Sequence, residues 1–388
     1  MITTGHRGDG VRADCRVVLR PGAGSVDVRS DDATADLATL REHVDRLRRC
    51  FDADDLDLEV DDAGAPLFVL AARIEAAFRG ANRAPRRDVR IERAVARPER
   101  SRRDRRRRSR LYLPGDLPRF MLHAVRCAPD AVLFDLEDGV TPDRKESARL
   151  LVRNALGALD FGVAERMLRV NPGPAGREDL AAVVPEGIDL VVIPKVEDAA
   201  EVVEVATTLQ ALEAETGIGH PVWLMPIVES ALGVERAFEI ARASDRVVAL
   251  AIGLEDYTAD LGVVKTSTGE ESLFARQRLV NAAKAAGLQA IDSVYGDARD
   301  TEGLAAWCAR SRAMGFDGMG CVHPRQIEAI HRGFSPTADE VAHARRVIEA
   351  FERGRAAGQG VVSLDGGMVG PPVVERARQI LREAADGA

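Results

Sequence analysis

Eight short apolar runs in the last two-thirds of the chain alternate with amphipathic stretches, and this alternation limits the folds open to it. Strand-like runs separated by helical segments favour parallel pairing, and eight such units predict a closed (β/α)8 TIM barrel of the α/β class. Seven runs carry or precede polar residues suited to catalysis: AVLF with Asp135, Glu137 and Asp138; MLRV with Arg169; LVVIP with Lys195; VWLMPI with Glu229; VVALAI with Glu255 and Asp256; LQAI with Asp292; and GMGCV with His323. Because active sites of such barrels lie at the carboxyl ends of the strands, the pattern also predicts where the site lies.

The chain divides into four segments by its composition and patterning. Residues 1–79 mix strand-like and helical patterns and predict a small α+β domain, in which the run from Pro66 reads as a strand continuing into a helix. Residues 80–109 are rich in arginine and predict a linker. Residues 110–333 hold the barrel. Residues 334–388 predict a C-terminal helical arm with a glycine-rich loop, which exceeds what a barrel requires.

The arginine-rich segment is the most unusual part of the composition. Between Arg79 and Arg110 there are fifteen arginines and four acidic residues. Like charges at this density repel and cannot form a core, which predicts a mobile, solvated tether. Two alternatives remain open: the segment lies on the acidic remainder of the protein, or it binds RNA or another polyanion through phosphate contacts.

The overall composition argues against several classes of protein. The formal net charge of -8 gives no general attraction to nucleic acid, and an aromatic content of 4% argues against base-stacking surfaces. No apolar stretch approaches the roughly 20 residues of a membrane span, and the first residues lack the apolar core of a signal peptide. The five cysteines are scattered, which is typical of a reducing compartment. We therefore expect a cytoplasmic protein without a membrane or nucleic-acid partner.

Two acidic residues on successive strand ends, Glu229 and Asp256, are candidate ligands for a hard cation. Mg²⁺ usually takes one or two carboxylates and completes its shell with water and substrate oxygens. If the strand is still extended at Glu255, that side chain points away from Asp256. Arg169 offers a fixed fork for a carboxylate or a developing oxyanion. The alternative is that these residues are ordinary charges on the rim of a barrel.

Residues 109–385 resemble the citrate lyase β-subunit family, within the wider group of Mg²⁺-dependent acyl-thioester lyases and aldolases. The segments that carry the resemblance, in the family's order, are SRLYLPGDLPRF, AVLFDLEDGVTPDRKESAR, LRVN, LVVIPKVE, MPIVES, IGLEDYTADLG, QAIDSVYGD, GFDGMGCVHPRQI, FSPTADEVAHARRVIEAF and VVSLDGGMV. They span nearly the whole barrel and the arm.

The resemblance implies a role for each candidate site residue. Glu229 and Asp256 are implied as the ligands of Mg²⁺, and Arg169 as a catalytic residue that contacts the oxygens of the substrate. Glu137 and Asp138, with Asp135 beside them, are implied as a catalytic acidic group near the metal. The residues implied to hold the thioester and its coenzyme A or carrier arm are Pro114, Gly115, Lys145, Pro194 and Lys195.

The implied activity is cleavage of a carbon–carbon bond in a citryl-, citramalyl- or malyl-type thioester, which yields an acetyl-type thioester and an oxo-acid. One departure matters, because lyases of this group commonly read G-K-M-V/I-D in the tail loop and use its Asp as an acid/base. Here Gly367 replaces the Lys and Gly370 replaces the Asp, and Asp365 is the nearest alternative acid. A thioester-binding relative with weak, hydrolytic or regulatory activity is therefore the alternative.

Residues 9–79 resemble the small acyl-carrier (γ) subunit of citrate lyase. The matching segments are DCRVVLRP and VDDAGAPLFVLAARIEAAFRGA. The carrier's prosthetic arm is normally attached to a Ser in a segment like E-S-x-D, whereas this chain has Arg12 at that place, followed by Ala13 and Asp14. A covalent arm is therefore not expected, and free coenzyme A thioester is the expected substrate. The resemblance of residues 109–385 to the citrate lyase β-subunit family also implies a homo-oligomer, with trimers favoured.

Overall fold

The computed structural model describes residues 1–8, 10–32, 36–90, 92–95 and 101–385. Eight parallel strands close into a barrel in which each strand pairs with its neighbour in sequence and the eighth pairs with the first. The barrel strands are β5 Ser109–Pro114, β6 Ala131–Asp135, β7 Glu165–Arg169, β8 Leu190–Ile193, β9 Trp223–Val228, β10 Ala249–Ile252, β11 Gln289–Asp292 and β12 Gly318–Cys321. The predicted TIM barrel of the α/β class is confirmed.

Helices cover the outside of the barrel, and the alternation of side chains along each strand separates two cores. In β5, Leu111 and Leu113 pack outward against helices, whereas Tyr112 packs inward with Leu133 and Met225. The helices that follow the strands are α3 Pro118–Ala124, α4 Lys145–Ala158, α5 Gly173–Val183, α6 Ala199–Thr216, α7 Ala231–Glu235, α8 Ala237–Ala241, α9 Leu254–Asp260, α10 Leu273–Ala285, α11 Thr301–Met314 and α12 Ile327–Gly333. Burial of the strands on both faces explains why they appear in the sequence as continuous apolar runs.

The N-terminal domain is a four-stranded mixed sheet with two helices. Its strands lie in the order β1-β2-β4-β3, with only β3 and β4 parallel to each other. The elements are β1 Ile2–Thr4, β2 Asp14–Pro21, β3 Val26–Ser30, α1 Leu37–Arg48, β4 Leu56–Ala63 and α2 Leu67–Gly80. The predicted strand after Pro66 is wrong, because the segment is helical from Leu67. A helix buried on all sides, as α2 is, has the same continuous apolar run as a buried strand.

The arginine-rich segment does not form the predicted solvated tether where the structure describes it. Arg107 and Glu165 are both 0% exposed, and the guanidinium donates to both carboxylate oxygens at 2.7 and 2.8 Å. Ser101 donates to the same carboxylate, and its carbonyl accepts a hydrogen bond from the indole of Trp223. Glu165 begins β7 and Trp223 begins β9, so these contacts join the segment to the amino-terminal end of the barrel.

Other arginines of this segment also pair with acidic groups or carbonyls of the protein. Arg108 forms two hydrogen bonds with the carboxylate of Asp130, and Arg93 forms an ion pair of 2.6 Å with Glu186. The alternative in which the segment lies on the acidic remainder of the protein fits these described residues. Residues 91, 96–100 and 386–388, which belong to the expected linker and arm, lie outside the described residues.

The C-terminal arm consists of two helices joined by a short hairpin. Its elements are α13 Ala338–Ala356, β13 Val362–Leu364, β14 Gly367–Val369 and α14 Pro371–Ala385. The expected glycine-rich loop is therefore partly an antiparallel strand pair, whose turn has positive φ at Asp365 and Gly366. Among the described residues, no helix is long and apolar enough to cross a membrane.

Candidate active site

The centre of the candidate site is a pair of residues at the ends of two neighbouring barrel strands. Asp135 ends β6 and Arg169 ends β7, and the register places them side by side. The Nε and Nη2 atoms of Arg169 each donate to one oxygen of Asp135 at 2.7 Å. Both residues are buried, so this bidentate pair is rigid and fixes the position of the Arg169 guanidinium for its other contacts in the site.

A chain of alternating charges extends from Arg169 across the mouth of the barrel. Nη1 of Arg169 lies 2.8 Å from Glu137, whose other oxygen lies 2.6 Å from Nζ of Lys195. Lys195 also contacts Asp138 at 3.1 Å. Burial raises the pKa of Glu137, whereas hydrogen bonds with Glu137 and Lys195 outweigh partial burial and lower the pKa of Asp138. The structure thus brings together four of the predicted residues.

Three further predicted residues lie behind the acidic group, and two of them donate hydrogen bonds to its backbone. The amide of Gly115 donates to the carbonyl of Asp135 at 2.8 Å, and a Cβ at position 115 would lie 2.7 Å from that oxygen. Nζ of Lys145 donates to the carbonyls of Leu136 and Glu137 at 2.7 and 2.5 Å. Pro114, the last residue of β5, pairs with Asp135 in the sheet.

Glu229 lies at the end of β9 with one carboxylate oxygen fixed by the protein. Its Oε1 accepts a hydrogen bond of 2.7 Å from the backbone amide of Lys195, which follows Pro194 and has a φ of 52°. Its other oxygen faces Gly253, where a Cβ would collide with the carboxylate. Burial, together with the negative charges of Asp256 and Glu137, raises the pKa of Glu229 to about 7.

Asp256 lies in a helix and not at a strand end. β10 ends at Ile252, and Glu255 and Asp256 occupy the first turn of α9, so the expected position of Asp256 at a strand end is wrong and the extended backbone considered for Glu255 is not present. Glu255 is exposed and pairs with Lys265 at 2.5 Å. Among the described residues, no hydrogen-bond donor or cation is paired with the carboxylate of Asp256, although its charge acts on Glu229.

These observations fit a hard divalent cation. Glu229 and Asp256 are close enough for mutual repulsion, Asp256 lacks a counter-ion among the described residues, and a cation between them would relieve both effects. Within the described ranges, no group of three or more His, Cys, Asp or Glu side chains forms a ready-made metal cage. Mg²⁺ matches this pattern because it is held by one or two carboxylates, with water and substrate oxygens as the other ligands.

Tyr112 is a residue of the site that the sequence analysis missed. It lies in β5 and packs inward, and the guanidinium carbon of Arg169 is 5.6 Å from the centre of its ring. Arg110, two positions earlier, approaches the same ring at 5.9 Å. The period-two pattern of β5, which turns residues 110, 112 and 114 inward, is the signal that identifies this position.

Two polar residues at strand ends serve the structure of the barrel. Asp292 is fully buried, pairs with Arg276 at 2.5 Å and accepts a hydrogen bond from the indole of Trp307. His323 accepts a hydrogen bond from the amide of Arg325 and begins a short 3-10 helix. Both side chains are therefore engaged in local structure.

The tail loop presents no acid at position 370, where the resemblance implies one. Gly370 follows β14, and the carbonyl of Gly370 accepts hydrogen bonds from the amides of Val373 and Val374 at the start of α14. Asp365 lies in the hairpin turn and forms an ion pair of 3.1 Å with Arg346 of α13. Within this chain, the nearest alternative acid is therefore engaged in holding the arm together.

Comparison with known proteins gives the family. Residues 108–324 match the model of the HpcH/HpaI aldolase/citrate lyase family. The chain is 40% identical to the citrate lyase subunit beta of Leuconostoc mesenteroides subsp. cremoris over 286 residues, which cover 72% of this chain and 94% of that protein. It is 38% identical to the (3S)-malyl-CoA thioesterase of Cereibacter sphaeroides over 283 residues, which cover 71% of this chain and 94% of that protein.

A solved structure agrees with this result. Protein CitE from Mycobacterium tuberculosis, in complex with magnesium, acetoacetate and coenzyme A, superposes with a TM-score of 0.61 at 31% identity, covering 73% of this chain and 99% of that chain. The predicted family is therefore confirmed, while the carrier-like resemblance of the N-terminal domain stays a prediction. The chain belongs to the HpcH/HpaI aldolase/citrate lyase family.

Proposed function

We propose that this protein is an Mg²⁺-dependent carbon–carbon lyase that acts on a 3-hydroxy-acyl thioester. The substrate class is a citryl-, citramalyl- or malyl-type thioester, and the products are an acetyl-type thioester and an oxo-acid. The observation that carries the proposal is the buried carboxylate of Glu229, on which the charges of both Asp256 and Arg169 act. Relatives named citrate lyase subunit beta, and a neighbour with bound magnesium and coenzyme A, support it.

In this proposal Glu229 and Asp256 hold the metal, and Arg169 orients the carboxylate of the oxo-acid. Magnesium would polarise the carbonyl oxygen of the oxo-acid and offset negative charge that develops during cleavage. Arg169 keeps its charge, because its carboxylate neighbours outweigh desolvation and raise its pKa. A permanent cation at this point stabilises negative charge on the substrate without any proton transfer.

Glu137, Asp138 and Lys195 act as a connected group beside the metal ligands. Lys195 also stays charged, since the two carboxylates outweigh desolvation and raise its pKa. Its backbone amide orients Glu229 while its amino group orients Glu137. We assign the thioester and its coenzyme A arm to the segment around Pro114 and Gly115, to Lys145, and to the turn at Pro194 and Lys195.

Hydrolysis of the thioester is the second candidate activity. It is favoured by Gly370, which cannot transfer a proton, and by the similarity to relatives named (3S)-malyl-CoA thioesterase. Cleavage of the carbon–carbon bond requires a proton at the carbon of the acetyl-type product, and general acid–base help typically contributes about 10²–10⁴ in rate. Thioester hydrolysis does not require that transfer to carbon.

Product analysis separates the two activities. Purified protein is incubated with Mg²⁺ and malyl-, citramalyl- or citryl-coenzyme A, and the products are resolved by chromatography and mass spectrometry. Acetyl-coenzyme A together with an oxo-acid supports the lyase, whereas free coenzyme A together with the intact hydroxy acid supports the thioesterase. The proposal requires that Glu229→Gln abolishes the reaction. Equal turnover by this variant would overturn the metal assignment.

The assembly and location of the protein complete the proposal. We infer a homo-oligomer, with a trimer expected, in which the C-terminal arm contacts a neighbouring subunit; light scattering on the purified protein tests this point. All five cysteines are free, which supports a reducing cytoplasm as the compartment.

A further inference from the structure

One arginine of the N-terminal domain contacts two segments of the barrel. Arg73 lies in α2 and is 1% exposed. Its Nε and Nη2 donate to the two oxygens of Asp14, each at 2.9 Å, which neutralises its charge within the N-terminal domain. Its other hydrogens reach the barrel, with Nη2 donating to the carbonyl of Asp116 at 2.6 Å and Nη1 to the hydroxyl of Ser147 at 2.7 Å.

The first of these barrel acceptors borders the acidic group of the site. Asp116 directly follows Gly115, whose amide donates to the carbonyl of Asp135. His6 adds a second link, because its Nδ1 contacts Asp14 at 2.8 Å and its Nε2 lies 3.6 Å from the carboxylate of Asp116. The loop after β5 is therefore held from the N-terminal domain on one side and by Asp135 on the other.

The second acceptor supports the same acidic group from another direction. Ser147 lies in the first turn of α4, two residues after Lys145. The amino group of Lys145 donates to the carbonyls of Leu136 and Glu137, so the position of α4 sets the position of these carbonyls. The buried guanidinium of Arg73 thus holds both the loop after β5 and the start of α4. These two segments donate hydrogen bonds to the backbone of residues 135–137, which include the two acids paired with Arg169.

A second buried contact joins the same two helices without touching either segment. Glu75, two residues after Arg73, pairs with Arg153 of α4 at 2.5 Å. Asn154 donates to the carbonyl of Phe68 at 3.2 Å. Because Arg153 lies two turns beyond Lys145, this contact stabilises the docking of α2 on α4 without bearing on the acidic group. It is a matched control for Arg73.

We propose that the N-terminal domain is a fixed part of the active site and that Arg73 is a positioning residue for it. Arg73 holds the loop at Gly115 and the start of α4 in the arrangement that Asp135 and Glu137 require to bind Arg169. The N-terminal domain therefore helps to position the residues that bind the metal and the oxo-acid, although Arg73 lies more than forty residues before Asp116 in the chain. The inference rests on the proposed function only for the identity of that ligand.

The physical basis is the number of bonds that one rigid group makes. A guanidinium presents five donors in a fixed plane, so its bonds to Asp14, Asp116 and Ser147 set their relative positions together. Groups that hydrogen-bond to a metal ligand typically change metal affinity by about 10–100-fold when they are removed. Arg73 acts more remotely, on Arg169 through Asp135 and Glu137, so the lower end of that range is expected for Mg²⁺ bound together with an oxo-acid. Arg73 acts through Gly115 and Lys145, and it is not placed to touch the substrate.

The test compares three variants of the full chain. Arg73→Met removes all contacts of the guanidinium, Ser147→Ala removes one barrel contact while leaving Asp14 paired, and Glu75→Gln weakens the control contact. Calorimetric titration with Mg²⁺ in the presence of pyruvate gives the affinity, and chemical unfolding gives the stability. We expect affinity to fall about tenfold in Arg73→Met and in the same direction, but less, in Ser147→Ala. Glu75→Gln should lose stability and keep the wild-type affinity.

Amide hydrogen exchange on the metal-free protein provides a readout that does not depend on the ligand. Arg73→Met and Ser147→Ala should speed exchange in residues 135–139, whereas Glu75→Gln should speed it in α2 and α4 alone. If Arg73→Met does not fold, Ser147→Ala against Glu75→Gln decides the matter. Equal effects of these variants on both readouts would overturn the inference. A wild-type protein that binds no Mg²⁺ with pyruvate counts against the proposed function, and exchange then decides the positioning role.

Discussion

Arg169 and Asp135 occupy paired positions on neighbouring strands, and two parallel hydrogen bonds of 2.7 Å join the guanidinium to the carboxylate. The third nitrogen of Arg169 reaches Glu137 at 2.8 Å. A lysine at this position would keep the charge but could not form the fork, so the orientation of both acids would be lost. The pair therefore sets the geometry of the site as well as its charge.

The first prediction concerns Arg169→Lys. We expect kcat to fall by about 10²–10³, the range seen when one donor to a developing oxyanion is removed. Arg166→Lys is the control, because Arg166 lies on the same strand and forms a bidentate pair, at 2.9 and 2.7 Å, with Asp189 at the opposite end of the barrel. Steady-state kinetics should show a large loss for position 169 and little change for position 166. Similar losses at both positions would contradict the assignment.

The second prediction uses the buried carboxyl of Glu229. Its pKa rises from 4.5 in the unfolded chain to about 7 in the folded protein, so folding favours the protonated form. Ionising Glu229 in the folded protein therefore lowers the free energy of unfolding. This loss is absent below pH 4.5 and complete above pH 7, where it reaches about 3 kcal/mol. Metal-free Glu229→Gln should therefore be more stable than wild type at pH 8 and of similar stability near pH 4.5.

Thermal unfolding at the two pH values, with and without Mg²⁺, checks this prediction. Mg²⁺ should stabilise the wild type and leave Glu229→Gln almost unchanged, because a ligand stabilises only the protein that binds it. Glu255→Gln is the control, because Glu255 is an exposed neighbour of the proposed metal ligand Asp256, and this variant should behave as wild type in every condition. A variant at position 229 that is destabilised at pH 8 without metal would refute the reasoning.

The barrel and the strand-end residues could be predicted because their signals are local. A strand buried on both faces is a continuous apolar run, and the residue that ends the run is the residue at the mouth of the barrel. Asp135, Arg169 and Glu229 were located in this way. Asp256 was expected at a strand end but lies in α9, because the apolar run gives no sign of where the extended backbone ends after Ile252.

The contacts between distant segments could not be predicted from the sequence. Arg73 reaches Ser147, and Arg107 reaches Glu165, across 74 and 58 positions of the chain. Nothing in a local charge pattern shows that an arginine has a buried partner so far away. The same limit applies to α2, whose apolar residues face a sheet on one side and α4 on the other. Its sequence therefore lacks the one-sided apolar pattern by which an amphipathic helix is predicted.

The third prediction concerns the arginine-rich segment. Arg107→Ala leaves the carboxylate of Glu165 buried without its partner, and we expect a loss of about 3–5 kcal/mol in the free energy of unfolding. Arg102→Ala is the control, because its ion pair with Asp104 is largely exposed and should contribute less than about 1 kcal/mol. Urea unfolding monitored by circular dichroism measures both. Equally small losses would restore the picture of a solvated tether.

The last prediction addresses the missing acid of the tail loop. A side chain fits at Gly370, since its Cβ would meet Val361 at 3.8 Å and Pro372 at 4.0 Å, both ordinary contacts. Gly370 also precedes α14, where Asp and Asn are both favoured N-caps. Gly370→Asp and Gly370→Asn should therefore fold alike and stabilise the arm slightly. Only Asp can transfer a proton, so only Gly370→Asp should raise carbon–carbon cleavage, by about 10² or more.

Both variants and the wild type are assayed with the same set of thioesters, and cleavage is counted by the oxo-acid formed. If the site is complete apart from this acid, Gly370→Asp gains cleavage while hydrolysis of the thioester stays constant. An equal gain in Gly370→Asn would trace the effect to the arm and not to proton transfer. No gain with any thioester would mean that a group elsewhere in the protein moves the proton, or that the wild-type reaction is hydrolysis.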